Sequence, residues 1–568
     1  MYPAIGLATE EPSYRRTRLT RRALPLGALA LTALVAGLVV GSFAESEGDR
    51  SARDFARAWA RADYSAMHEL LSDGARDRYP QRSFRAAYEN ALSVATATAV
   101  SVGRPGGERN GSARVPVTVR TRVFGTVRGD VVLPIPGEAV EWEPHLVFPG
   151  LEEGVTLTRR AEAPERASIL SSDGKVLAED RRGTRSSPLG EVGSSIAGTV
   201  AESDDQADRK ALYARGFAGD TPIGRTGLER ALQRKLEGTP GGTLRAGTRI
   251  LASSEPVKAK AVRSTIDTRI QQAAVTALAG RLGGIAAIDT RTGQVRALAG
   301  IAFSAPQPPG SVFKIVTTAA ALEERKVKLS DEFPVESRAL IDGVTLENAN
   351  GELCGGTFAQ SFAHSCNSVF APLGVKVGAK KLVETAERFG WNTKTTLPGE
   401  KASTLPSAGD IVSPLEIGST AIGQFKVLAT PLLMASVAQT IGNDGVRLAP
   451  SLEPGVRSER ERVLSPKIAS TIEDLMIGVV GFGTGTAAAI PGVKVAGKTG
   501  TAELEDTRGP GVDEEAPDDP MNTDAWFTSF APAGKPKIAV AALFVRNGSG
   551  GAVAAPAAKT VLVAALQR

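Results

Sequence analysis

The longest apolar stretch of the chain runs from Ala23 to Ala44 without a single charge. As a helix rising about 1.5 Å per residue it reaches roughly 33 Å, enough to cross a bilayer core. Arg15, Arg16, Arg18, Arg21 and Arg22 precede it, and Glu45, Glu47 and Asp49 follow. This asymmetry predicts a single-pass segment at 23–44, a cytoplasmic tail at 1–22 and an extracytoplasmic remainder. The alternative is a cleaved signal peptide ending at Ser42-Phe43-Ala44, with an unusually long apolar region. No second run of this length follows, so the rest reads as one soluble ectodomain on one anchor.

After the run the period changes. In ARDFARAWARADYSAMHELL, Phe55, Trp59, Tyr64, Met67 and Leu71 fall on one helical face. ARVPVTVRTRVF and GDVVLPI then alternate as strands, and VEWEPHLVFPGL closes the unit, so residues 45–152 predict helices on a curved sheet. Residues 153–262 carry turn signals (SSDGKVLA, DTPIGRTG, EGTPGGTLRAG) and one short helical piece, GLERALQRKLEG. They predict an extended module of short elements. Residues 263–568 predict one α/β domain. GGIAAIDTRTGQVRALAGI reads as two strands, and helices are expected from Ser311 to Arg325, over Ala379–Phe389 and over Pro431–Ile441. Three late strands and a terminal apolar helix complete a mixed or antiparallel sheet flanked by helices.

Composition narrows the functions. With 568 residues and a net charge of +5, the chain has no basic stripe and few aromatics, which argues against nucleic-acid binding. Three histidines and two cysteines do not build a transition-metal site. Neither GxxxxGK[ST] nor GxGxxG occurs, so nucleotide binding has no support.

The candidate chemistry begins at PPGSVFK, where Ser311 and Lys314 stand at the predicted start of a helix. Positions i and i+3 share a helix face, so lysine can serve the serine as base once burial lowers its pKa. The helix N-terminus suits an oxyanion. Spacing alone is weak: Ser172 and Lys175 repeat it inside a turn. Two further elements separate the cases. Ser365-Cys366-Asn367 supplies a hydroxyl for a proton and an amide for a substrate peptide. Lys498-Thr499-Gly500-Thr501, on a predicted strand, supplies groups for a carboxylate and a glycine beside which a substrate strand can lie.

Together these motifs resemble the set of penicillin-binding proteins, from which Cys366 departs by standing where the motif has aspartate, a replacement common in such enzymes. The surrounding text, SCNSVF, IGQFKVLATPLLMASVAQTIGNDG, GKTGTAE and DAWFTSFAP, resembles a class B penicillin-binding protein, a peptidoglycan D,D-transpeptidase. Residues 45–152 resemble its MecA-type N-terminal domain and 153–262 its dimerisation or pedestal module. Within that module Ala167, Ser171, Leu232 and Gln233 depart from the usual Gly, Asp, Tyr and Asp.

The resemblance implies the following roles. Lys314 deprotonates Ser311, and the N–H groups of Ser311 and Thr501 hold the oxyanion. Ser365, with Lys498 nearby, relays a proton. Asn367 orients the substrate and Lys314. Thr499 and Thr501 bind the terminal carboxylate, with Gly500 between them. It implies no cofactor or metal. Its substrates are stem peptides of the lipid-linked precursor, with β-lactams as mimics, and its partner is a separate membrane glycosyltransferase. The alternatives are a D,D-carboxypeptidase or β-lactamase on the same scaffold, and a non-catalytic β-lactam-binding scaffold or sensor; the intact motifs argue against the last.

Some readings stay open. Cys354 and Cys366, outside the membrane, either bridge or remain buried free thiols, since spacing does not give their separation. His364 is expected to pack or hydrogen-bond, and His68 and His145 carry no assigned role. Trp526 lines the cleft or belongs to the core. Residues 503–524, rich in acids, Gly and Pro, read as a solvated loop beside the cleft.

Overall fold

The computed structural model describes residues 46–181, 184–505 and 519–567. The tail and apolar run expected at 1–22 and 23–44 lie outside these, as does the middle of the acidic loop. Among the described residues no helix is long and apolar enough to cross a membrane. The chain divides into two units, one of residues 46–160 with 242–254, the other of 161–241 with 255–567.

In the first unit α1 (Glu47–Ala60) starts at Ser46, whose side chain accepts from the Asp49 N–H. Helices α2 (Tyr64–Glu69), α3 (Asp73–Arg78) and α4 (Gln81–Val94) follow. Strands β1 (Ala97–Val102), β2 (Ser112–Thr121) and β3 (Thr126–Pro134) form an antiparallel sheet in that order. The predicted helical stripe is the core-facing one: Phe55, Trp59, Met67 and Leu71 are buried, with Tyr64 partly so. Val115, Val117 and Val119 are buried alongside them, and Trp142 Nε1 donates to the Tyr88 hydroxyl at 3.1 Å. Residues 242–254 fold into this unit as a hairpin.

The second unit is built on a five-stranded antiparallel sheet. Its strands are β4 (Gly283–Asp289), β5 (Val295–Gly300), β6 (Ala496–Glu503), β7 (Thr523–Ala531) and β8 (Ile538–Phe544), in the order β5-β4-β8-β7-β6. Helices α5 (Thr268–Leu278), α6 (Lys314–Glu323), α7 (Phe358–Ala363), α8 (Asn367–Val377), α9 (Pro431–Gly442), α10 (Pro466–Gly481) and α11 (Ala555–Leu566) surround it. The helix expected at Ala379–Phe389 forms over those residues. Strand alternation splits the burial between two faces. Ile285, Ala287, Val540 and Ala542 meet α5 and α11, while Ala286, Ile288, Ala539 and Ala541 meet α6 and α9. Strand β6 is left at the sheet edge.

Residues 161–241 consist of short elements, but they are not thinly packed. Ala167, Ile169, Leu177, Ile196, Leu228, Leu232 and Leu236 join the same continuous core as the sheet. At their centre Glu229, fully buried, pairs with Arg166 and with Arg185 (Nε to Oε1, 2.7 Å). Gln233 Oε1 accepts from Gly224 N and Arg166 Nη2, both at 2.8 Å. The departures at 232 and 233 thus take up one apolar and one polar role in the same cluster. Glu229→Ala removes the buried carboxylate shared by two guanidinium groups, leaving Arg185 with Asp180 and Arg166 with Gln233. It should cost about 3–5 kcal/mol, read as a lower denaturant midpoint of tryptophan fluorescence.

Candidate active site

Gly310–Phe313 forms a tight 3-10 turn, and the α-helix proper begins at Lys314 rather than at Ser311. The cause is close backbone approach. Gly310 has φ +53°, and a Cβ there would lie 2.7 Å from the Thr501 carbonyl oxygen. Only glycine tolerates both conditions. The contact brings the backbone of the Ser311 turn against Thr501 on β6. Trp526 is core, fully buried, and its Nε1 donates to the Pro308 carbonyl at 2.8 Å, propping the turn from below.

Lys314 is fully buried. Its Nζ lies 2.5 Å from the Ser365 carbonyl oxygen, 2.7 Å from Asn367 Oδ1 and 3.3 Å from Ser365 Oγ. Among the described residues it makes no hydrogen bond to Ser311. Burial, and then the neighbouring Lys498, hold its pKa well below the usual lysine value. A neutral amine has two N–H donors and one lone pair. Donating to the Ser365 carbonyl and Asn367 uses both N–H groups, and the lone pair, which here meets the Ser365 hydroxyl at 3.3 Å, is the one place left on the amine to take a proton. Lys498, also fully buried, donates to Ser365 Oγ at 2.8 Å and to the Thr499 carbonyl at 3.2 Å. Burial lowers its pKa to about 7. Ser365 Oγ therefore bridges two lysines.

Ser365 itself sits at φ +64°, a left-handed conformation that costs a non-glycine residue energy. Its surroundings hold it there. Cys366 is bridged to Cys354 (Cα–Cα 5.4 Å), which settles the choice left open for the two cysteines. Asn367 opens α8 and its Nδ2 donates to the Glu347 carbonyl at 2.6 Å.

On β6 the expectation for Gly500 needs correcting. A Cβ at Gly500 would stand 2.7 Å from the Pro309 carbonyl oxygen and 3.0 Å from Trp526 Cβ. Glycine is required here by what packs beneath the strand. Thr499 Oγ1 hydrogen-bonds Thr484 Oγ1, and Thr484 N donates to the Ala363 carbonyl at 3.1 Å. Sequence reasoning missed Thr484. Its Gly-Thr-Gly setting marks a turn, but no spacing ties it to Thr499. His364 is exposed and packs against Phe482, with ring centroids 6.4 Å apart. The ends of the acidic loop are tied together, Leu504 N donating to the Asn522 carbonyl at 2.9 Å.

A hydroxyl nucleophile, a buried lysine of lowered pKa and a serine joined to a second lysine, beside the edge strand of the sheet, make up the machinery of a serine acyltransferase. The chain belongs to the penicillin-binding protein transpeptidases, with a MecA-type N-terminal domain. The penicillin binding protein transpeptidase domain matches residues 283–563, and the NTF2-like N-terminal transpeptidase domain matches 47–155. The peptidoglycan D,D-transpeptidase PbpA of Mycolicibacterium smegmatis is 32% identical over 420 residues, covering 63% of this chain and 81% of that one. The D,D-transpeptidase domain of a peptidoglycan glycosyltransferase from Eggerthella lenta superposes with a TM-score of 0.58 at 32% identity, over 71% of this chain and 98% of that one. Penicillin-binding protein A of Mycobacterium tuberculosis, solved as its penicillin G acyl-enzyme, gives 0.56 at 27% identity, over 71% and 100%.

The two lysines predict a bell-shaped pH profile. Reactivity of Ser311 toward a thioester acyl donor should rise with pH as Lys314 loses its proton. It should fall above about 7 as Lys498 loses its own. In Lys498→Gln the falling limb should vanish, as measured by intact mass against time.

Proposed function

We propose that the chain is a peptidoglycan D,D-transpeptidase, acylated at Ser311 by donor stems and by β-lactams. The observation that carries this reading is the Lys314–Ser365–Lys498 chain of hydrogen bonds beside the Ser311 turn. The likeness to a protein solved as a penicillin G acyl-enzyme supports it.

In this reading Lys314 takes the Ser311 proton as Oγ attacks the carbonyl carbon of the penultimate D-Ala. The negative oxygen is met by the N–H groups of Ser311 and Thr501. The C–N bond then breaks, and Ser365, supplied by the lysines on either side, protonates the leaving nitrogen. Thr499 and Thr501 hold the carboxylate of the departing D-Ala, and Asn367 orients the donor peptide. The amine of a neighbouring stem attacks the resulting ester by the reverse route and frees Ser311.

The proposal extends to position in the cell. Residues 23–44 anchor the chain in the membrane with the N-terminus cytoplasmic. Residues 153–262 act as its pedestal or dimerisation module, and a separate membrane glycosyltransferase supplies the strands to be joined. The charge asymmetry around the apolar run supports the orientation.

Labelling with a fluorescent penicillin, read by intact mass, tests the assignment. One adduct is expected, on Ser311. It should be lost in Ser311→Ala and slowed about 10²–10⁴-fold in Lys314→Ala, the range for removal of a general base. Label that persists in Ser311→Ala sinks the assignment. Rapid release of penicilloate points to a hydrolase, and no label at all to a silent scaffold.

A further inference from the structure

The amine that reaches the acyl-enzyme must stand where the departing amine stood, because the second half-reaction retraces the first. In the transpeptidase reading, on which this inference rests, the leaving D-Ala lies between Ser365 Oγ and the hydroxyls of Thr499 and Thr501. The acceptor nitrogen takes the same place. The peptide carrying it therefore passes whatever lies beyond Ser365 and Thr499.

Three residues outside the motifs lie there. Thr484 is hydrogen-bonded to Thr499, His364 directly precedes Ser365, and Phe482 caps α10 with its ring against His364. Phe482 is 55% exposed, yet its backbone is fixed. Phe482 N and Gly483 N both donate to the Gly478 carbonyl, at 3.0 and 3.2 Å. A Cβ at Gly483 would lie 2.3 Å from the Ala363 carbonyl oxygen, so this short turn is pressed onto the end of α7. One face of the ring is taken up by Gly478 and His364, and the exposed remainder, on a fixed backbone beside Ser365 and Thr484, has area to offer a ligand.

We infer that His364 and Phe482 form the acceptor subsite, which takes a primary alkylamine side chain of a second stem peptide. Phe482 packs the methylene stem behind the amine, and His364 hydrogen-bonds the adjoining peptide group. Thr484 acts one step back, as a positioning residue for the Thr499 hydroxyl.

The full-length protein in detergent is given a thioester donor and one of two amines. Free D-alanine ends at the motif residues, whereas a synthetic stem tripeptide bearing a lysine side-chain amine extends past them. The ratio of aminolysis to hydrolysis product measures acceptor capture from one common acyl-enzyme. Phe482→Ala and His364→Ala should lower that ratio about tenfold for the tripeptide and leave it within about twofold for D-alanine. Phe482→Tyr, which retains the ring, should keep most of the tripeptide ratio. Loss with both amines alike, or with neither, overturns the subsite. A wild-type protein that forms no acyl-enzyme overturns the transpeptidase reading instead, so the two failures are separable.

Discussion

Lys314 and Lys498 are both fully buried and share one hydroxyl, that of Ser365. Two ammonium groups cannot both keep their protons there, since burial penalises each charge and each charge repels the other. Whichever lysine is protonated has a ring beneath it: Phe370 lies 5.4 Å from Lys314 Nζ and Phe362 lies 5.6 Å from Lys498 Nζ. The carbonyl oxygens of Ser365 and Thr499 accept from the same nitrogens. The site is thus built to carry one proton between two places. That constraint explains why three motifs far apart in the chain must close on a single hydroxyl, and why the walls around it are apolar.

Elements set by local pattern were legible from the chain. The helical stripe of Phe55, Trp59, Met67 and Leu71, the alternating strands around Val117, and the paired strands flanking Thr290 all follow from period and burial. The motif residues were legible because their types, order and setting are specific. What stayed hidden depends on contacts between distant segments. Nothing local to Gly500 says that Pro309 lies beneath it, and nothing near Thr484 points to Thr499. The pairing of Cys354 with Cys366 needed a separation that spacing does not give.

The residues 161–241 show the same limit from the other side. Their turn-rich composition suggested an open module, since few long apolar runs are visible. The burial instead comes from single leucines and isoleucines spread over short elements, and from one carboxylate, Glu229, serving two arginines. Such packing leaves no periodic trace. It also shows how Leu232 and Gln233 replace an aromatic–acid pair: one fills apolar space and the other bonds to backbone and guanidinium.

The floor beneath the nucleophile is made of bare backbone. A Cβ at Gly423 would meet the Gly310 carbonyl oxygen at 2.0 Å, one at Gly310 the Thr501 carbonyl, one at Gly500 the Pro309 carbonyl, and one at Gly550 the Gly500 carbonyl at 2.4 Å. Each segment excludes a side chain from the next. Genetic drift and drug pressure therefore meet a locked interior, where every replacement must shift a carbonyl that frames Ser311. Heritable change in what this cleft accepts has its freedom at the rim, in half-exposed positions such as Phe482, where a new side chain gives up a ring contact but shifts no backbone carbonyl.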